Sequence, residues 1–132
     1  MQLEICLLGQ VSITVSGACT SGEDALNPQA RLAFAMLTLE RGRGVTRDAL
    51  ANAVWPHELP STWASALRSV ISRVRAFVDV ASGGTIRPVL VAAGGAYRLQ
   101  LPSSTIVDAE IAEQQLQAAS RALADRRPEE AE

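Results

Sequence analysis

The chain has 132 residues, 48% hydrophobic and 20% charged, with a formal net charge of −2. That length fits one ordinary domain with a real core plus a piece of another, and the composition excludes disordered, collagen-like and repeat classes. No apolar run approaches the ~20 residues of a membrane span, and Glu4 near the start with no basic stretch argues against a secretory leader, so a cytoplasmic location without a membrane partner is expected. Two cysteines, Cys6 and Cys19, and one histidine, His57, leave no metal-ligand set and little general-base chemistry. No metal, no cofactor and no enzymatic activity are therefore expected.

The charge is segregated along the chain. Residues 1–27 carry Glu4, Glu23 and Asp24 and no base, whereas residues 28–101 carry nine arginines against four acids, a net of +5. Residues 102–132 carry Arg121, Arg126 and Arg127 against seven acids, a net of −4. An acidic whole therefore contains a basic middle, and a polyanion responds to the local field, because exposed charges are screened within about 8 Å at physiological salt. Every base is an arginine; the chain has no lysine.

In chain order, Leu3, Ile5 and Leu7 alternate, Gly9 and Gln10 mark a turn, and Val11, Ile13 and Val15 alternate again. This predicts a β-hairpin with one buried face, followed by a Ser/Gly/Thr-rich loop holding Cys19; both thiols read as reduced. Asn27 and Pro28 supply an N-cap and a first-turn proline for a first helix over 28–41, with Ala30, Ala33, Phe34, Met36, Leu37 and Leu39 as its apolar surface. Thr46 caps a short second helix carrying Leu50, Val54 and Trp55, which stops at Pro56. Pro56, His57, Glu58, Leu59 and Pro60 form a loop, and Ser61 stands where the next N-cap is needed.

The third helix, over 61–79, is the most informative stretch. Trp63, Leu67, Val70, Ile71, Val74 and Val78 gather on one stripe at 100° per residue and must face the core. The opposite side carries Thr62, Ser65, Ala66, Ser69, Ser72, Arg73 and Ala76, flanked by Arg68 and Arg75, and no acid occurs from Ser61 to Val78. A generic solvated face carries Glu and Lys. A face of small residues and arginines suits a helix that enters a groove ~12 Å wide and meets base edges and phosphates.

Past Ser82, Gly83 and Gly84, residues Val89 to Ala93, the turn Gly94–Gly95, and Tyr97, Leu99 and Leu101 alternating with Arg98 predict a second hairpin ending at Pro102. From Asp108 an amphipathic helix places Ile111, Ala112, Leu116, Ala119 and Leu123 on one side. Arg127, Pro128, Glu129 and Glu130 read as the entry to another helix. The order predicts an α+β fold: a winged helix-turn-helix with an N-terminal antiparallel sheet and a C-terminal hairpin wing over 1–102, then the start of an all-α domain over 103–132.

With LLGQVSITVSG (Leu7 to Gly17), Leu26 to Trp55, ALRSVISRVRAFV (Ala66 to Val78) and GGAYRLQLP (Gly94 to Pro102) in this order and spacing, the sequence resembles the actinobacterial antibiotic regulatory proteins, the SARP family. The resemblance covers about residues 3–102, and Val107 to Ala131 looks like the opening of that family's helical bacterial transcriptional activation domain. It implies a cytoplasmic activator of antibiotic or other secondary-metabolite genes that binds promoter direct repeats, commonly as a head-to-tail homodimer, and contacts RNA polymerase. It implies a recognition helix in the major groove, with Thr62, Ser65, Ala66, Arg68, Ser69, Ser72 and Arg73 facing bases and phosphates. Arg47 and Arg75 join the DNA-facing set, Arg98 is the wing residue, and Pro56, His57, Glu58, Leu59 and Pro60 form the polymerase-contact loop. Many relatives carry an arginine before the wing turn, where this chain has Ala93. Arg75 has an alternative as an i, i+4 ion pair with Asp79, and Arg31 and Arg121 read as solvated. The competing reading is a winged helix whose small-residue face docks another protein.

Overall fold

The computed structural model describes residues 3–23, 25–83 and 90–130. β1 (Leu3–Cys6) and β2 (Ser12–Val15) form the expected hairpin, with Leu3 opposite Val15 and Ile5 opposite Ile13. Leu3, Ile5, Val11 and Ile13 are buried, so the alternation read from the sequence sets the face. The loop expected around Cys19 is instead a strand, β3 (Ala18–Ser21), antiparallel to β2. The two-residue turn Ser16–Gly17, with φ of 49° and 90°, supplies the positive angles that a tight hairpin requires. Both cysteines are free thiols.

α1 (Pro28–Leu39) is capped as its sequence dictates: the Asn27 side chain accepts from the Ala30 N–H at 2.8 Å. The helix ends two residues before the expected position, at Glu40, and the chain turns through Gly44. Gly44 has φ of +80°, and a Cβ there would lie 3.1 Å from the Tyr97 carbonyl oxygen, so this turn accepts only glycine without strain. β4 (Val45–Thr46) follows, then α2 (Arg47–Val54), whose N-cap Thr46 accepts from the Ala49 N–H at 3.1 Å.

α3 (Trp63–Ser82) begins later and ends later than expected. Ser61 is not its cap; Thr62 is, without a side-chain cap bond, and the helix continues until Gly83 adopts the left-handed conformation at φ 64°. No breaker occurs between Asp79 and Gly83, so Val80, Ala81 and Ser82 extend the helix. β5 (Leu90–Ala93) and β6 (Ala96–Leu99) form the second hairpin across the Gly94–Gly95 turn, and β4 adds to β6. Gly84 and Val89, expected in this region, lie outside the described residues.

The C-terminal segment departs most from expectation. β7 (Ile106–Val107) joins β1 in parallel, giving a four-stranded sheet of order β3-β2-β1-β7, so the N-terminal sheet is not wholly antiparallel. α4 (Asp108–Glu130) then runs unbroken through Arg127 and Pro128, where the sequence pointed to a new helix. Pro128 falls in the last turn, where the missing N–H removes a single helical bond. The Asp108 carboxylate accepts from the Leu7 N–H at 2.8 Å and the Leu8 N–H at 3.2 Å, closing the backbone groups left open where β1 ends.

One core joins these parts. Phe34 of α1 meets Phe77 of α3 edge to face at 5.5 Å between ring centroids, within a cluster that takes Ile5 and Ile13 from the first sheet, Tyr97 and Leu99 from the second, and Val107 from β7. Within it the Thr38 hydroxyl is buried with no hydrogen-bond partner among the described residues. Thr38→Val keeps the shape and removes that desolvated hydroxyl, so it raises unfolding free energy by about 1 kcal/mol, measured by urea titration. A fragment ending at 102 lacks β7, Val107 and Asp108, and its urea midpoint falls well below that of a fragment ending at 112.

Candidate nucleic-acid interface

α2 and α3 follow one another across the segment 55–62. Its backbone is held by the Trp63 N–H donating to the Pro60 carbonyl and the Ala66 N–H to the Thr62 carbonyl, both at 3.0 Å. Pro56, His57, Glu58 and Leu59 are exposed on this connection, with Pro60 half-buried. The buried side of α3 is Leu67, Val70, Ile71, Val74, Phe77 and Val78. Phe77 was absent from the expected stripe; it lies at the edge of the arc and is drawn in by Phe34. Trp63, expected on the stripe, lies on it but is only half-buried, because it stands at the first position of the helix.

The outward side carries the residues the sequence singled out. Ser65, Ser69, Ser72 and Ala76, spaced four, three and four apart, form one exposed line along the helix. Arg73 is exposed on one flank beside half-buried Ala66, and Arg68 and Arg75 are exposed on the other, with Thr62 exposed at the start. From Thr62 to Ala76 the helix therefore presents hydroxyls and guanidinium groups with no carboxylate among them; exposed Asp79 joins this side only in the last turn.

The arginines divide by what they touch. Arg41 is committed to the fold: its Nη1 and Nη2 donate to the Glu110 carboxylate at 2.6 and 2.9 Å, and Nη1 also donates to the Thr38 carbonyl at 2.8 Å. That hydrogen bond to Glu110 pushes the Arg41 pKa up against the opposing effect of burial. Arg31, expected to be solvated, pairs with Glu23 at 3.5 Å and donates from Nε to the Leu26 carbonyl; Arg43 pairs with Glu40 at 2.7 Å. Arg75 donates to the Leu90 carbonyl of β5 at 3.4 Å, and its i, i+4 pair with Asp79 is not among the ion pairs of the described residues. Arg98 is exposed on β6 and donates from Nε to the Arg41 carbonyl at 3.3 Å, on the side of the hairpin next to the end of α1.

Arg47 has its guanidinium carbon 5.7 Å from the centroid of the Trp63 ring, and its backbone N–H donates to the Gly95 carbonyl at 3.0 Å. Arg68 and Arg73 make no hydrogen bond or ion pair within the described residues and extend to solvent. Arg47, Arg68, Ala92, Gly94, Gly95, Ala96 and Tyr97 line a notch of about 270 Å³ where α2, α3 and the second hairpin meet.

α4 starts against β1 and β7, and residues 111–124 are exposed, including Ile111, Leu116 and Leu123. Ser65, Ser69, Ser72 and Ala76, the outward line of α3, are likewise exposed. The described residues contain no group of three metal-ligating side chains, and no helix among them is long and apolar enough to cross a membrane. Glu110→Gln keeps the shape of the Arg41 contact and removes its charge; it costs about 1 kcal/mol of stability in low salt, and the cost shrinks in ~1 M salt. Paired urea titrations at the two salt concentrations measure it.

No protein-family model matches the chain. It is 36% identical over 105 residues to the transcriptional regulatory protein EmbR of Mycobacterium tuberculosis strains H37Rv and CDC 1551 and of Mycobacterium bovis, a match taking in 79% of this chain and 26% of each relative. A solved structure, Mycobacterium tuberculosis EmbR in complex with low affinity phosphopeptide, superposes with a TM-score of 0.64 at 33% identity, over 78% of this chain and 26% of that one. The chain thus spans about a quarter of the length of these relatives. Over that quarter it is a homologue of the mycobacterial transcriptional regulatory protein EmbR and has a mixed α+β fold similar to that of the EmbR structure.

Proposed function

We propose that the chain is the DNA-binding end of a transcriptional regulator of the antibiotic regulatory kind, an activator acting in the cytoplasm. The observation that carries this reading is the outward face of α3 from Thr62 to Ala76, which holds no acid and sets Ser65, Ser69 and Ser72 in line between Arg73 and Arg68. Homology to a transcriptional regulatory protein supports it, and an enzymatic role gains no support from such relatives.

In this reading α2, the 55–62 segment and α3 are a helix-turn-helix, and the β5–β6 hairpin is the wing. α3 enters the major groove, its serine line meets base edges, and Arg47, Arg68 and Arg73 neutralise backbone phosphates. Arg98 and Arg75 act at the margin, since each already donates to a carbonyl of the protein. The loop Pro56 to Pro60 is the surface offered to RNA polymerase, and head-to-tail pairs occupy promoter direct repeats. The DNA-binding unit extends past 102 to about Glu110, because β7, Asp108 and Glu110 are built into its sheet and helix contacts; the helical domain begins with the exposed part of α4.

An electrophoretic mobility shift with promoter and random duplexes tests this reading. Binding at moderate salt is expected, with log affinity falling by about 0.9 per phosphate neutralised for each unit of log salt. Arg73→Ala lowers that slope by about one unit and weakens all sequences alike, whereas Ser69→Ala and Ser72→Ala change the preferred sequence in a binding-site selection more than they change affinity. Absence of binding at low salt moves the α3 face to the alternative, a protein-docking role.

A further inference from the structure

We propose that Trp63 is a positioning residue for DNA binding, holding Arg47 at the notch between α2, α3 and the wing turn so that its N–H edge grips a backbone phosphate. The inference rests on the DNA-binding reading above and goes beyond it by assigning a task to a tryptophan that the core does not fully absorb.

Trp63 is the first residue of α3 and only half-buried, in a chain with two tryptophans, and its ring lies under the Arg47 guanidinium at 5.7 Å. A guanidinium engaged by an ion pair has its N–H donors occupied; one stacked on an aromatic face keeps its donors free while losing rotational freedom. Arg47 lies over the Trp63 ring at cation–π distance with no ion pair, and no carboxylate among the described residues lines the notch it shares with Arg68. Asp48, the acid nearest in sequence, is exposed on the first turn of α2.

The third wall is the hairpin turn. The Arg47 N–H donates to the Gly95 carbonyl, and the Thr46–Ala96 pairing of β4 with β6 fixes the turn beside the start of α2. Gly94 and Gly95 have φ of +60° and +76°, and a Cβ on either meets no atom within 4 Å, so the turn is open on its outer side. Two arginines, Arg47 and Arg68, thus line one open recess with no acid in its lining, between α2, α3 and the hairpin turn. That is the chemistry of a phosphodiester seat.

The test measures affinity of the whole chain for a random-sequence duplex of about 30 base pairs, by fluorescence anisotropy across a salt series, with circular dichroism melts as the folding check. Arg47→Gln is expected to weaken binding about fivefold at ~0.1 M salt and to lower the salt slope by about one unit. Trp63→Leu weakens it about threefold in the wild-type background and by less than about 1.5-fold in the Arg47→Gln background, while Trp63→Phe recovers most of the loss. Arg47→Lys, which keeps the charge but cannot stack flat, weakens binding about threefold and reports the same contact if Trp63→Leu does not fold. Equal cost of Trp63→Leu in both backgrounds, or wild-type affinity in Arg47→Lys, overturns the assignment while leaving DNA binding intact. A wild-type chain that binds no duplex even at low salt overturns both.

Discussion

The contact on which the rest depends is the edge-to-face packing of Phe34 on Phe77. It joins the middle of α1 to the C-terminal half of α3, and it decides which side of α3 is buried. α1 is itself fixed at both ends, by the Asn27 cap at its start and by the Arg41 contacts just beyond its end. With α1 fixed, the aromatic pair sets the rotation of α3 about its own axis. A rotation of one residue, about 100°, would carry Ser65, Ser69 and Ser72 toward the side of the helix and bring arginines against apolar neighbours, at the desolvation cost of unpaired charge. The outward face of α3 is thus a consequence of core packing.

A second constraint runs from the far end of the chain. Asp108 closes the open N–H groups past β1, β7 lies beside β1, and Glu110 clamps Arg41 with two hydrogen bonds. Arg41 in turn offers its carbonyl to Arg98 of the second hairpin. The start of α4, the end of α1 and the strand after the Gly94–Gly95 turn therefore share one residue. Such a connection gives the C-terminal helix a mechanical link to the hairpin.

What could be read in the sequence was local. Asn27–Pro28 and Thr46 announce their helices because an N-cap bond spans only three residues, and the stripe Leu67, Val70, Ile71, Val74 and Val78 needs only the helical period. β3, β4 and β7 were missed for a common reason: each is two to four residues long and lacks a clean alternation of its own. Only the Ser16–Gly17 turn offered a local sign of β3. The Asp108 bonds to Leu7 and Leu8 bridge about a hundred positions, and Arg41–Glu110 bridges 69; no periodicity reports pairs so distant. At the candidate site the residue types on α3 were legible because they share one helix face. Which arginines the fold occupies was not, since Arg75 and Arg98 are held by carbonyls and Arg47 by a ring, partners that charge patterning does not display.

An acidic net charge does not argue against the proposed polyanion partner, and the arrangement of the charges gives the reason. Glu23, Glu40 and Glu110 each face an arginine, so three carboxylates are neutralised at close range within the basic segment's surroundings. The acids farther along α4 sit on a helix of 23 residues, roughly 34 Å long, which leaves the body of the protein from the β1–β7 edge. Beyond about 8 Å their field is mostly screened. What remains on the outward side of α3 is Arg68 and Arg73, with Arg47 over the Trp63 ring at its edge and one exposed acid, Asp79, in the last turn. Net charge sums over all of these groups with equal weight, whereas a polyanion laid along α3 would weigh them by distance, and Arg47, Arg68 and Arg73 against Asp79 leave that surface positive.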